Sequence, residues 1–235
     1  MARIDNPQFT LDRVKSAFKY YAGKGVAPMQ SIIRVEQALV DGRGSYSFNL
    51  KKDKSLLGPA EVSMDQWDLF IATHLFIGFR IDAKAKPGMA PMLTYAMLGD
   101  SANNTSCVGF ATADAEALYN GVLSIMTNNV ANLENFPLSL FKFVPQTQAG
   151  GATVVPEFNI SDVAVQTPEQ FVFSGNAQHN VKIDFPVEPT ASFAADAATP
   201  SNYESKVVLE VYGYNIKGGA AEAFREAANP LFGRF

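Results

Sequence analysis

DLFIATHLFIGFRID, residues 68–82, reads as one long β-strand whose two faces both look buried. Leu69, Ile71, Leu75, Ile77, Phe79 and Ile81 occupy the odd positions, interrupted only by Thr73. On the even face Phe70 and Phe76 stand among Ala72, His74, Gly78 and Arg80. A strand in a two-sheet antiparallel protein ordinarily buries one face in the core and turns a polar face to water. This strand therefore requires a second cover, over Phe70 and Phe76, from another element or another copy of the chain.

Strand patterns recur on either side of it: SIIRVEQALV (31–40), SYSFNL (45–50), MLTYAML (92–98), GVLSIMT (121–127), LSLFKFV (138–144), QFVFS (170–174), NVKIDF (180–185) and KVVLEVYGYNI (206–216). Period-two alternation is clear in Tyr46, Phe48 and Leu50, and again in Val181, Ile183 and Phe185. Asp41-Gly42-Arg43-Gly44 and Gly175-Asn176 supply turns. About nine strands without α/β alternation predict an all-β chain, with a single β-sandwich spanning residues 26–217. A short helix is expected near ADAEALYN (113–120).

The ends differ from the middle. In residues 1–25, Leu11, Val14, Ala17, Phe18 and Tyr21 recur at helical spacing before Gly23 and Gly25, which predicts an amphipathic helical arm. Five bases against two acids give that arm a charge of +3. Arg13, Lys15 and Lys19 are its candidate polyanion contacts. Residues 218–235 open on Gly218-Gly219, continue as a short Ala-rich helix and finish with Phe232, Arg234 and Phe235. The apolar residues Phe224, Leu231, Phe232 and Phe235 of this second arm need a groove, in a neighbour or in the sandwich.

Composition narrows the function. Only 18% of residues are charged against 47% hydrophobic, fewer charges than the ~25% of ordinary soluble domains, which implies surface hidden in contacts. The net charge of −4 argues against nucleic-acid binding over the whole surface and leaves only a local contact through the basic arm. Cys107 is the only cysteine, so no intrachain disulfide or thiolate metal site is expected. The polar start and the lack of a long apolar run predict neither a secretion signal nor membrane insertion.

Catalytic patterns are weak. Gly99-Asp100-Ser101 superficially matches a hydrolase nucleophile turn, but no Asp-x-x-His follows near the end of the chain. His74 and His179, the only histidines, sit in no metal-ligand spacing and read as hydrogen-bonded structural residues. Dispersed carboxylates such as Asp65, Asp68 and Asp82 show no glycosidase-like pair in sequence. Lys51, Lys52 and Lys54 form a basic run that reads as a solvated turn or, alternatively, a polyanion contact. No catalytic residue, cofactor or metal is expected.

The outward faces of other strands are also apolar: Val208, Tyr212, Tyr214 and Ile216 accompany Val207, Leu209 and Val211, and Phe141 and Phe143 oppose Leu138, Leu140 and Val144. Contiguous exposed apolar surface of this kind marks partner sites. The candidate assembly surface comprises Leu11, Val14, Phe18, Tyr21, Phe70, Phe76, Phe224, Leu231, Phe232 and Phe235.

Along the chain stand Asn6-Pro7 and the helix behind it, Arg34-Val35-Glu36 followed by Tyr46-Ser47-Phe48, and the strand 68–82. Leu118-Tyr119-Asn120-Gly121, Phe143-Val144-Pro145-Gln146-Thr147 and Ser174-Gly175-Asn176 follow. In this order of elements the chain resembles the jelly-roll virion proteins of bacterial viruses, in which a helical arm precedes a sandwich that tiles a shell. The resemblance spans most of the chain as an order of strands and carries over no functional residue. It implies a single jelly-roll-like domain, since a double one needs roughly twice the strands. It also implies a non-enzymatic capsid or other shell subunit, synthesised in a host cytoplasm, whose partners are copies of itself and other virion proteins. The competing expectation is a β-sandwich module that binds glycan or protein, with Trp67, Tyr95 or Tyr119 stacking on sugar; an enzyme with convergent acids ranks third.

Overall fold

The computed structural model describes residues 19, 28–40, 42–90, 92, 117–142, 164–186 and 202–219. These form eight strands: β1 (Met29–Ala38), β2 (Ser45–Phe48), β3 (Leu69–Ala83), β4 (Val122–Thr127), β5 (Val130–Pro137), β6 (Val165–Ser174), β7 (His179–Asp184) and β8 (Tyr203–Ile216). They build two four-stranded sheets, one in the order β1-β8-β3-β6 and the other β2-β7-β4-β5, with every pairing antiparallel. First pairs with last, second with seventh, third with sixth and fourth with fifth, as in a long hairpin rolled on itself. The all-β expectation holds for the described residues.

One core lies between the sheets. Ile33, Val35, Ile77, Phe79, Leu209 and Val211 come from the first sheet, and Tyr46, Phe48, Leu123, Ile125, Val181 and Ile183 from the second. Phe79 reaches across to meet the rings of Tyr119 and Phe185 at 5.4 and 6.5 Å between centroids. The alternation read in β2 and β7 is thus the core face of the second sheet. Its other face is solvated in the ordinary way, with Lys182 and Asp184 paired at 2.8 Å and both side chains well exposed.

β3 departs from the expected division into odd and even faces. Its ladder with β8 shifts register between Ala72 and His74, leaving Thr73 as an extra residue. Because side chains alternate with period two, one inserted residue exchanges the faces. Before the bulge Phe70 and Ala72 belong to the central core while Leu69 and Ile71 form an outer cluster with Ile216. Beyond it Leu75, Ile77, Phe79 and Ile81 point into the core. Thr73 is held in place by its hydroxyl, which donates to the Tyr212 carbonyl at 3.1 Å.

Two local expectations are corrected. Leu138–Phe141 forms a 3-10 turn rather than the start of a strand over 138–144, burying Leu138 and Phe141 while Leu140 stays exposed. The strand immediately before it, β5, was not expected: VANLENFP has no apolar alternation and is largely exposed. It is an edge strand, tied to β4 through a two-residue hairpin whose Asn128 and Asn129 both take positive φ, at 49° and 65°. The helix expected over 113–120 is described at residues 117–119. Of the strand expected over 92–98 only Met92 is described.

Candidate functional site

Among the described residues, the face of the first sheet that points away from the core is unusual in carrying buried charge. It carries Arg34 and Glu36 from β1, Glu204, Lys206 and Glu210 from β8, and Arg80 and Asp82 from β3, brought side by side by the β1–β8–β3 register. Arg34 bonds Glu36 and Glu210, each at 3.0 Å. Arg80 reaches Glu36 at 3.1 Å and pairs closely with Asp82. Lys206 bridges Glu204 at 3.1 Å and Asp82 at 3.3 Å. The Tyr212 hydroxyl donates to Glu210.

These charges are largely out of water. Arg80 and Asp82 are each 1% exposed and Glu210 is 3%. Isolated charges at that depth cost several kcal/mol, so the network persists because each member meets an opposite charge. Burial raises the Asp82 pKa, but the Gly88 N–H, the Arg80 and Lys206 charges outweigh it and hold the carboxyl below its ordinary range. Burial likewise lowers Lys206, yet Glu204, Asp82 and Glu36 leave it raised. The Tyr212 phenol is pushed up by burial and by its bond to Glu210. Among the described residues Arg80 Nε has no hydrogen-bond partner.

Part of the cover is the chain itself. After β3 the segment 84–90 turns back over this face, where the Gly88 and Ala90 N–H groups donate to Asp82 at 3.2 and 3.3 Å. Met92 then lies against Gly78 and Phe76, its sulfur 3.7 Å from an Arg34 nitrogen. Gly78 leaves the room: a Cβ there would stand 2.5 Å from the Met92 methyl and 2.8 Å from the Phe76 ring. On the outer edge of β1, Val62 forms an isolated antiparallel bridge with Arg34, and Glu61 accepts from the Glu36 N–H at 2.9 Å.

Loop 54–62 and segment 84–90 meet where Gly88 packs on Pro59. Both expose apolar side chains, Leu56 at 67%, Val62 at 43% and Met89 at 78%.

Phe70 and Phe76, the two strand residues expected at an assembly surface, are 1% and 2% exposed, with their contacts made inside the chain. Lys19 is helical and exposed. Leu11, Val14, Phe18, Tyr21, Arg13, Lys15, Phe224, Leu231, Phe232 and Phe235 lie outside the described residues, as do Tyr95, Ser101 and Cys107. Of the aromatic residues considered for sugar stacking, Tyr119 is buried and Trp67 is 53% exposed. His74 contacts the Thr73 hydroxyl at 3.1 Å. His179 lies edge-on to Phe173, contacts Thr127 Oγ1 at 3.0 Å and the Ser174 carbonyl at 2.8 Å, and so occupies a structural position at the β6–β7 turn. Among the described residues no group of three or more His, Cys, Asp or Glu could hold a metal ion, and no helix is long and apolar enough to cross a membrane.

Sequence reasoning missed the ionic face. Its only sequence signal was Arg80 and Asp82 inside an otherwise apolar strand. No protein-family model, curated protein or solved structure matches this chain.

Proposed function

We propose that this chain is a non-enzymatic structural subunit that assembles with copies of itself into a shell, a capsid or another virion component, and that its sandwich is a jelly roll. The strand order carries the reading: β1-β8-β3-β6 facing β2-β7-β4-β5 is the arrangement of a rolled hairpin, the pattern of eight-stranded jelly rolls that recur in capsid and lectin domains. Fold alone does not assign function. The exposed Leu56, Val62 and Met89, beside a sheet face closed over buried charge, supply apolar area suited to a subunit contact.

In this reading the proposed helical arms, residues 1–25 and 218–235, dock on neighbouring subunits. Arg13, Lys15 and Lys19 face an acidic neighbour or enclosed nucleic acid. The chain is made in a host cytoplasm and resides in the assembled particle. Light scattering after size-exclusion chromatography, followed by negative-stain microscopy, tests it. Uniform closed particles or regular oligomers are the expected result. A monomer at every concentration overturns it in favour of the second reading, a sandwich that binds glycan or protein, which the exposed Trp67 favours.

A further inference from the structure

At one end of the sandwich the β2–β3 loop and the β6–β7 turn enclose an open pocket of about 550 Å³. Ligand sites for small molecules typically measure about 300–1,000 Å³, so a mono- or disaccharide fits its scale. Its walls are fixed by main-chain bonds. The Gly175 N–H donates to the Asp68 carbonyl at 2.8 Å, and Gly175 packs so closely on the Asp65 and Gln66 carbonyls that no side chain fits. The Met64 N–H donates to the Leu50 carbonyl at 3.1 Å, and the Lys51 N–H to Asn49 Oδ1 at 3.0 Å.

The polar lining is mixed. Three lysines, 51, 52 and 54, face two carboxylates, Asp53 and Asp65, a balance of 3 − 2 = +1. Lys52 is held by Glu61 at 2.5 Å and Lys54 by Asp65 at 3.2 Å. Lys51 is the wall cation with no ion pair among the described residues, and its charge contributes to lowering the pKa of nearby His179. Gln66 and Asn176 add amides. Beside Gln66 stands Trp67, the chain's only tryptophan, with half its surface exposed.

We infer that this pocket binds an acidic sugar, a pyranose bearing a carboxylate or sulfate. Lys51 neutralises the acid group, while the Asp65 carboxylate and the Gln66 and Asn176 amides bond ring hydroxyls. A nucleic-acid backbone is the poorer match, because a charge of +1 with two carboxylates in the wall neutralises few phosphates.

Titration of the full chain, read by Trp67 fluorescence and by calorimetry, tests the inference. The probes are N-acetylneuraminic acid, glucuronic acid, a sulfated monosaccharide, glucose, inorganic phosphate and a single-stranded oligonucleotide. At least one acidic sugar is expected to bind ten-fold or more tighter than glucose. Lys51→Ala should weaken it at least ten-fold, whereas Lys182→Ala, on the far face of the second sheet, leaves it unchanged; circular dichroism verifies that both variants fold. Equal binding of glucose, preference for phosphate or the oligonucleotide, indifference to Lys51→Ala, or no sugar binding each overturns the inference. None of these outcomes bears on whether the chain assembles, which scattering reads separately.

Discussion

Gly213 of β8 lies against the main-chain carbonyl of Ile71 in β3, closer than any side chain would permit. The contact stands beside the bulge at Thr73, where Gly213 pairs with Ala72 and the next pair joins Tyr212 to His74. Bulges sharpen local twist, and glycine lets two main chains approach there. Gly213→Ala should force β3 and β8 apart and cost about 1–3 kcal/mol, as overpacking does elsewhere. Urea denaturation measures it; an unchanged midpoint means the ladder relaxes freely.

Deleting Thr73 should be far worse. Without the extra residue the ladder regains strict alternation, and Leu75, Ile77, Phe79 and Ile81 would face Arg34 and Glu210 while Arg80 and Asp82 entered the core. The expected outcome is a chain that no longer shows a cooperative melt. Thr73→Val keeps the residue and loses its hydroxyl bond to the Tyr212 carbonyl and its contact with the His74 ring, so it should cost about 1–2 kcal/mol. Equal behaviour of the two variants would refute the assigned role of the bulge.

The ionic face predicts acid sensitivity. Asp82 and Glu61 both titrate below their ordinary 3.8 and 4.5 in the folded chain. Burial opposes the shift in each, and hydrogen bonds and paired cations overcome it. Depressed carboxyl groups stabilise fully above the unfolded values, and that contribution fades as pH falls through the lowered ones. Asp82→Asn leaves Arg80 buried beside a neutral partner and should cost about 3–5 kcal/mol at neutral pH. Its stability should also respond less to acid below pH 3.8 than that of the parent chain, measured by thermal melts across pH.

His179 acts in a different window. Burial and the Lys51 charge lower its pKa from the ordinary 6.5, against the opposing Ser174 carbonyl. A histidine held neutral by folding stabilises above its unfolded value, and the contribution is lost as pH falls from 6.5 through the lowered value. The melting temperature should therefore begin to drop below pH 6.5, before the carboxylates titrate. His179→Gln should flatten that segment; an identical slope in the variant would show that another group is responsible.

The proposed arms make a separable prediction. Removing residues 1–25, or 221–235, should leave the β-rich circular dichroism spectrum in place and abolish higher assembly. Loss of salt dependence with the first truncation alone would identify its basic side chains as polyanion contacts. Two truncated chains with the oligomeric state of the parent would remove the arms from the assembly proposal.

Much of the two-sheet architecture was legible because alternation is a local property: Tyr46 and Phe48, or Val181 and Ile183, declare their shared face without knowledge of any partner. The need for a second cover over 68–82 was equally legible, since Phe70 and Phe76 lie on one face of an uninterrupted pattern. Tertiary structure decided that they lie on opposite sides of the sheet, because a bulge exists only relative to the strand it pairs with. It also made β5 a strand, since backbone pairing with β4 holds an edge whose side chains bury little. The burial of Arg80 was the least legible feature. Its burial depends on Glu36, tens of residues away, and on Asp82, which Lys206 of β8 holds in turn, and a charge leaves water only when the fold brings the opposite charge to meet it.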